Sequence, residues 1–212
     1  MSKPKLILIG AGGHSLSCID VIEQQGKFQI VGLVGLQEQL DAQHQECGYS
    51  TIAADSDLLS LAKAYQYALI AIGQIQSAEQ RMHLFQRAIQ AGFELPTIIS
   101  PAAYVSRHAA LGAGTIVMHG AIVNAGARIG SNCIINSRSL VEHHAKVEDH
   151  CHISTGAILN GGVSIGAGTF IGSGSIIKQG VSVGRSCVVG MGLSLRHNLE
   201  DKNYLKGNES YE

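Results

Sequence analysis

An aliphatic residue opens every six-residue unit between positions 105 and 194, and no insertion or deletion interrupts the fifteen units. The opening residues are Val105, Leu111, Val117, Val123, Ile129, Ile135, Val141, Val147, Ile153, Leu159, Ile165, Ile171, Ile177, Val183 and Val189, and Leu195 starts a sixteenth unit. A period of six fits neither an amphipathic helix nor the strand-and-turn spacing of a β-sandwich. It is typical of a parallel β-helix in which three flat faces of six residues make one coil.

The fifth position of each unit is small or of modest size, as at Ala109, Cys133, Ser139 and Ala157. In a β-helix of this kind the aliphatic residue points into the solenoid, and the small residue lies where the chain turns a corner. Each coil pairs with the next through backbone hydrogen bonds at a spacing of about 4.8 Å. Fifteen units therefore predict five complete coils, and the same phase extends back to Ile99.

The first third of the chain lacks this period and alternates short apolar runs with helical patterns. The predicted elements are a strand over Lys5–Gly10, a helix over Ser15–Gln25, a strand over Gln29–Val34, a helix over Ser56–Tyr65, a strand over Tyr67–Ile72, a helix over Ser77–Ala91 and a strand over Leu95–Ile99. Such alternation predicts a small Rossmann-like α/β domain with a parallel sheet. We place this domain at residues 1–99 and the all-β solenoid with its tail at residues 100–212.

A glycine-rich turn, Gly10–Ser15, follows the first predicted strand. It departs from the dinucleotide fingerprint, because Ser15 replaces the third glycine and no Asp or Glu closes the second strand at Gly32–Gly35. This excludes NAD. Two interpretations remain: a tight turn without a ligand, or a loop whose N–H groups accept an anion such as a phosphate at the helix N-terminus. We favour the second.

The composition narrows the class of protein. The 15 Lys and Arg residues are scattered and nearly balanced by 16 Asp and Glu, so no electrostatic footprint for nucleic acid is present. No apolar run approaches the ~20 residues of a membrane span, and no signal-peptide pattern is present. The 5 cysteines are an odd number, which argues against a disulfide framework. We expect a cytoplasmic protein that inserts into no membrane.

Four histidines crowd into ten residues: His143, His144, His150 and His152. Such a cluster suggests a metal site. The solenoid would place these side chains on different faces or corners, however, so a metal site could form only across a subunit interface. We expect no metal. His143 differs from the others because it occupies an outward corner position whose stacked neighbours are Ala125 and Gly161. An open imidazole beside small residues suits a general base acting on a docked substrate, although a solvated surface histidine is the plain alternative.

Three motifs carry a resemblance to a known family. Ile7–His14, Ala71–Gly73 and Ser139–His143, followed by the six-residue units, resemble the sugar O- and N-acetyltransferases of the NeuD and PglD type. These enzymes join a small N-terminal α/β domain to a left-handed β-helix, and the resemblance covers almost the whole chain. It implies acetyl transfer from acetyl-CoA to an amino or hydroxyl group of a sugar, often a nucleotide-linked amino sugar for surface glycans.

The resemblance also implies roles for individual residues. The base of the family falls on His143, its CoA-contacting histidine on His152, and a glycine that meets the cofactor on Gly161. The nucleotide-sugar loops fall on Gly12, Gly13, His14 and Gly73. The pantetheine arm of CoA is expected between two neighbouring solenoids, which implies a homotrimer.

The chain departs from the family pattern at three places. His144 replaces the acidic residue that usually follows the base and raises its basicity, and Glu142 is a candidate substitute. The acidic residues that some members carry after the second strand are absent from Val34–Leu36, and Gly207–Glu209 lacks the usual proline. These departures leave the acceptor open between a nucleotide-linked 4-amino sugar and a sialic acid hydroxyl.

Two functions from other classes remain possible on the sequence. A solenoid can act as a scaffold or binding protein without chemistry, in which case it would bind no CoA. A metal-dependent hydratase of the γ-carbonic anhydrase type would need three histidine ligands across a trimer interface. The sugar-sized α/β domain argues against the hydratase.

Overall fold

The computed structural model describes residues 2–206, and the Gly207–Glu209 departure lies outside these residues. Residues 5–91 form an α/β domain in front of the solenoid. Its strands are β1 (Lys5–Ile9), β2 (Gln29–Gly35), β3 (Gln45–Glu46), β4 (Tyr49–Ala54) and β5 (Tyr67–Ile70), and its helices are α1 (Gly13–Gln25), α2 (Gln37–Asp41), α3 (Leu58–Leu61) and α4 (Glu79–Ala91), with one 3₁₀ turn at Asp55–Asp57. The sheet order is β3-β4-β2-β1-β5, and only the β3–β4 hairpin is antiparallel.

The predicted parallel α/β arrangement is confirmed, but α2 and β3 were not predicted, and three further elements differ. The pattern missed β4, whose small and polar residues give a weak apolar signal, although it pairs with β2 inside the sheet. The helix predicted over Ser56–Tyr65 is reduced to the single turn of α3. The strand predicted over Leu95–Ile99 as the last of this domain is wrong. Pro96 offers no N–H for a ladder, and only Ile98–Ile99 is a strand, paired within the solenoid.

The solenoid has three parallel sheets, which we number in chain order as faces 1, 2 and 3. Face 1 contains β6 (Ile98–Ile99), β9 (Ile116–Val117), β12 (Ile134–Ile135), β15 (His152–Ile153), β18 (Phe170–Ile171), β21 (Val188–Val189) and β23 (Tyr204–Leu205). Face 2 contains β7 (Tyr104–Val105), β10 (Ile122–Val123), β13 (Leu140–Val141), β16 (Ile158–Leu159), β19 (Ile176–Ile177) and β22 (Ser194–Leu195). Face 3 contains β8 (Ala110–Leu111), β11 (Arg128–Ile129), β14 (Lys146–Val147), β17 (Ser164–Ile165) and β20 (Ser182–Val183).

The left-handed β-helix follows from the predicted six-residue register. The second residue of each strand is the aliphatic one, and between coils it stacks on its equivalent, as Val123, Val141 and Leu159 do, all fully buried. From Gly114 to Gly192 the fourth residue of each unit adopts a left-handed backbone conformation. Glycine usually occupies this position because a side chain strains it, but His144 has φ +59° and His150 has φ +60°.

The cysteines pack as reduced thiols. All five are free, and Cys18, Cys133, Cys151 and Cys187 are buried. Cys133 and Cys151 occupy the same corner position in adjacent coils, and each thiol donates to a carbonyl of the chain, at 3.1 Å to Glu148 O and 3.2 Å to Gly166 O. None of the five cysteines is paired in the structure.

The α/β domain covers face 1. The outward residues Ile98, Ile116 and Ile134 are fully buried in one apolar cluster with Ile19 and Ile22 of α1. Faces 2 and 3 stay open. The side of the solenoid opposite face 1 is therefore the corner where face 2 turns into face 3, which we call the 2–3 corner.

A buried arginine ties α4 to both domains. Arg81 is 1% exposed, and its Nη1 donates to the carbonyls of Ile70 at 2.7 Å and Ile72 at 2.8 Å at the end of β5. Its Nε donates to the carbonyl of Asn132 in the solenoid at 3.2 Å. No salt bridge of Arg81 is present among residues 2–206, and burial lowers its pKa to about 10. This guanidinium serves as a hydrogen-bond hub for backbone carbonyls.

We expect Arg81→Met to lower the free energy of unfolding by about 3 kcal/mol, because it fills similar volume but leaves three carbonyls without this donor. Urea unfolding followed by circular dichroism measures the change. Arg87→Met is the matched control on the same helix, since among the described residues Arg87 donates only to the Asp55 carbonyl, at 2.6 Å. Equal losses for the two variants would contradict the hub role of Arg81.

Candidate functional site

His143 and His144 stand side by side at the 2–3 corner, directly after β13. Both side chains are exposed. Their Nδ1 atoms lie 3.1 Å apart, and the ring planes meet at 83°. Glu142 accepts a hydrogen bond from the His143 backbone N–H at 3.1 Å through Oε2, so it fixes the corner backbone. The ring partner of His143 is therefore His144.

Glycines of the neighbouring coils leave room for both rings. A β-carbon at Gly161, one coil onward, would lie 2.6 Å from Cε1 and 2.7 Å from Nε2 of His143. A β-carbon at Gly126, one coil back, would lie 3.2 Å from Cδ2 and 3.4 Å from Nε2 of His144. The two rings thus extend in opposite directions along the solenoid and meet at Nδ1. The expected neighbour of His143, Gly161, lies against it.

A groove lies along face 2 and the 2–3 corner in the coils after His143, and Asn160 at its near end directly precedes the Gly161 that contacts the His143 ring. The groove has a volume of about 620 Å³. Its lining residues are Asn160, Ile176, Lys178, Gln179, Ser194, Leu195 and Arg196. Asn160 donates to the carbonyl of Ile177 at 2.8 Å, which fixes the floor of the groove. The groove therefore combines an apolar wall with two cationic side chains in the coils beyond His143.

The predicted loop residues Gly12, Gly13, His14 and Gly73 come together at the ends of β1 and β5. α1 begins at Gly13, its N-cap is Gly12, and no side chain caps its first turn. A β-carbon at Gly73 would lie 3.7 Å from Cβ of His14. This edge of a parallel sheet, beside an uncapped helix N-terminus, is the usual place for a phosphate-bearing ligand.

A small pocket of about 180 Å³ opens at the same edge. Gly10, Ala11 and Gly12 line one side, and Gly35, Leu36 and Gln39 line another. Gln39 occupies the region where the sequence lacks acidic residues after β2. Its amide donates to the Ala11 carbonyl at 2.8 Å and accepts from the Leu36 N–H at 2.9 Å, so it joins the β1 and β2 loops.

His152 lies on face 1 next to His14. It is 6% exposed, and the ring centroids of His14 and His152 are 6.4 Å apart. His152 Nδ1 donates to the Gln74 carbonyl at 2.7 Å, and its Nε2 accepts from the Asn136 amide at 3.0 Å. This pairing fixes one neutral tautomer of His152 under the α/β domain.

Burial keeps both histidines neutral. It lowers the pKa of His14 to about 3, with the positive charge of Arg81 as the next cause. It lowers the pKa of His152 to about 4, although the hydrogen bond to Gln74 acts in the opposite direction. Nε2 of His14 is buried and has no hydrogen-bond partner within the described chain.

The structure therefore divides the residues singled out in the sequence into two groups. His143, His144, Glu142 and Gly161 meet at the 2–3 corner. The loop residues and His152 meet at face 1, on the opposite side of the same coils. His150 lies at the corner between faces 3 and 1, where its Nδ1 accepts from Asn132 at 2.9 Å. Among residues 2–206, no three His, Cys, Asp or Glu side chains gather closely enough to hold a metal ion.

The sequence missed Gln74, Asn136 and Arg81, which connect the two domains at face 1. These are ordinary polar residues without a motif. The sequence did indicate that face 1 is covered, however, because the outward residues of its first three strands are all isoleucine. A covered face requires such residues. Within residues 2–206, no helix has the length and apolar character needed to span a bilayer.

Family models match segments in both halves of the chain. The model of the PglD N-terminal domain matches residues 5–87, and that of the hexapeptide repeat of succinyl-transferase matches residues 162–196. No curated protein sequence gave a significant match.

Solved structures match over nearly the full length. The acetyltransferase domain of PglB from Neisseria gonorrhoeae, in complex with acetyl coenzyme A, is 30% identical over 98% of each chain, with a TM-score of 0.88. A perosamine N-acetyltransferase from Caulobacter crescentus, a single-histidine mutant in complex with CoA and GDP-perosamine, is 29% identical over 96% of this chain and 93% of its own, with a TM-score of 0.88. WeeI from Acinetobacter baumannii, at 19% identity and a TM-score of 0.75, shares the fold over 97% of this chain and 98% of its own.

Because His14 and His152 are buried and neutral, we expect the free energy of unfolding to decrease as the pH falls from about 6.5 toward 4. In this range the unfolded chain protonates both residues, with pKa values near 6.5, while the folded chain does not. Each histidine then costs up to about 1.4 kcal/mol per pH unit. We expect His152→Gln to flatten the pH dependence of the free energy of unfolding. The exposed His143→Gln is the control for the loss of one histidine, and an equal flattening by both would contradict this account.

Proposed function

The chain belongs to the PglD-type family of hexapeptide-repeat sugar acetyltransferases, and from this premise we propose that it transfers acetyl from acetyl-CoA to the amino group of a nucleotide-linked sugar. A 4-amino sugar for surface glycan synthesis is the acceptor class that we propose. The observation that carries the proposal is the exposed His143 against Gly161, next to a groove whose walls suit a long, phosphate-bearing thioester. The perosamine N-acetyltransferase among the relatives supports an amine over the hydroxyl of a sialic acid.

On the acceptor side, the α/β domain binds the nucleotide. The backbone N–H groups at Gly12 and Gly13 and the uncapped start of α1 attract the phosphates. Gly73 and His14 form the adjoining wall. His14 stays neutral, and its unpartnered Nε2 offers a hydrogen bond to a sugar or phosphate oxygen.

On the cofactor side, acetyl-CoA lies along the groove beyond His143. Lys178 and Arg196 provide positive charge for its phosphates, and Ile176 provides an apolar wall for the pantetheine arm. Gly161 lets the arm and the His143 ring approach each other, since a side chain there would collide with the ring. Both relatives at 29–30% identity carry CoA or acetyl-CoA.

His143 acts as the general base. Its Nε2 removes a proton from the sugar amine as the nitrogen attacks the acetyl carbonyl carbon. The carbon–sulfur bond then breaks, and His143 returns the proton to the CoA sulfur. His144 orients the ring through the Nδ1–Nδ1 contact, while Glu142 holds the corner backbone. Such help contributes about 10²–10⁴ in rate.

The working unit that we propose is a homotrimer. The outward residues of face 2 form a stacked apolar stripe that the α/β domain leaves uncovered: Tyr104, Ile122, Leu140, Ile158 and Ile176. Tyr104 is 59% exposed and Ile176 42% exposed, which is costly for a stripe of this length in water. Within one chain the acceptor loop and His143 lie on opposite sides of the coils. A second subunit docked on face 2 covers the apolar stripe. It also brings its own acceptor loop to the His143 of the first subunit.

We expect His143→Ala to lower acetyl transfer by about 10² or more while binding of acetyl-CoA and the trimer mass, three times 22.3 kDa, persist. The exposed ring packs against a glycine, so its removal costs little stability. Transfer is measured as CoA thiol release with a panel of GDP- and UDP-linked 4-amino sugars and sialic acids.

His108→Ala is the matched control, because His108 occupies a 2–3 corner two coils earlier. Near-normal turnover by His143→Ala, or transfer to no member of the panel by the wild-type chain, would overturn the proposed function. Loss of the trimer in solution at active concentrations would overturn its assembly.

A further inference from the structure

The His143–His144 pair contains a second titratable ring where the family pattern has a carboxylate, and its geometry carries an inference beyond orientation. At 3.1 Å, the two Nδ1 atoms are within hydrogen-bond distance. A neutral imidazole carries one N–H, so a single hydrogen bridges the pair and the rings adopt opposite tautomers. When His143 donates the bridge, its Nε2 is a free base and the N–H of His144 is on Nε2.

We propose that His144 relays a proton from His143 to solvent, an inference that rests on the proposed transfer to a sugar amine. At neutral pH that amine is an ammonium group. Its acetylation yields the amide, the CoA thiol and one free proton. One nitrogen proton passes through His143 to sulfur. A second must leave the site, which both ligands and the second subunit cover in the proposed trimer, before the nitrogen can attack.

The relay balances as follows. His143 takes the ammonium proton on Nε2 while its Nδ1 proton crosses to Nδ1 of His144, so the positive charge moves to the outer ring. His144 then loses the proton on its Nε2 to water. The neutral amine then attacks the thioester. Nε2 of His143 gives the first proton to the CoA sulfur as the carbon–sulfur bond breaks, while His144 takes a proton from water on Nε2 and returns its Nδ1 proton to His143. The freed Nε2 of His143 accepts the second nitrogen proton, which leaves by the same relay, and the pair regains its starting tautomers by exchange with water after the products depart. One proton is released in all, and no oxidant or metal takes part.

The surroundings of His144 suit this role. The ring is exposed and extends toward Gly126, away from Gly161, so a ligand in the groove beyond Gly161 leaves it uncovered. The corners directly before and after carry Asn124 and Asn160 and no titratable side chain. The charged or titratable neighbours are Glu142 and Lys146 on the same coil and Arg128 on the coil before, with Arg107, His108 and Lys178 one coil further away. Glu142 is the one carboxylate among them, and within residues 2–206 it forms no salt bridge with either ring.

His144→Asn tests the relay without straining the corner. Asparagine tolerates the left-handed backbone at φ +59° and can still accept the hydrogen bond from Nδ1 of His143, but it cannot carry a proton. The matched control is Ser186→Asn, which has the same corner position and φ +51° at the corner between faces 3 and 1. Turnover is measured from pH 6.5 to 9.5 in dilute buffer, with acetyl-CoA and the best 4-amino sugar nucleotide of the panel.

We expect His144→Asn to lower kcat by about tenfold or more at pH 7, in the lower range for loss of one proton-transfer group. The loss should shrink as the acceptor amine deprotonates at higher pH, and free imidazole at high concentration should restore several-fold of the lost rate. Ser186→Asn should show neither effect.

Three results would overturn the relay. A loss of the same size at every pH that imidazole does not relieve would make His144 a positioning residue only, and no loss at all would remove it from the reaction. In both cases His143→Ala would still be inactive and the proposed function would stand. Absence of transfer by the wild-type chain would instead refute the proposed function, and the relay with it.

Discussion

The whole molecule depends on the stacking register of the solenoid. Each coil hydrogen-bonds to the next, and an insertion of one residue would move an aliphatic side chain from the interior to the surface. The register keeps Val123, Val141 and Leu159 in one buried row. It also fixes the outer surface, because His143 must then lie over Gly161 and under Ala125. The position of the proposed base is thus determined by the same constraint that builds the core.

Docking of the α/β domain on face 1 determines the rest of the arrangement. The buried isoleucines of face 1 and the hydrogen bonds of Arg81 hold the Gly12–His14 loop, the proposed acceptor loop, beside His152. This leaves face 2 as the uncovered apolar side and the 2–3 corner as the open one. Within one chain the proposed acceptor loop and His143 lie on opposite sides of the coils. This separation is why we propose that the reaction takes place between subunits.

Much of the fold and part of the candidate site could be predicted from the sequence, for reasons that differ from one residue to another. The six-residue period predicted the solenoid, its coils and the contact between His143 and Gly161, because coil stacking is a local rule repeated without interruption. The glycine loop was equally accessible, since a strand followed by Gly10–Ser15 dictates a turn at a sheet edge. The strand β4 and the true partner of Ile98–Ile99 were not, because pairing of short strands depends on distant residues. The contact between His152 and Gln74 was also hidden, since no pattern states how two domains dock.

The central claim is that each active site combines the acceptor loop of one subunit with His143 of another. Mixed trimers of His14→Ala and His143→Ala subunits, isolated through two different affinity tags, test it directly by acetyl transfer. Each mixed trimer would contain one site with both residues intact, so we expect about one third of wild-type turnover per trimer, well above either parent variant. Turnover no higher than that of the two parents would show that the residues act within one chain and would contradict the account.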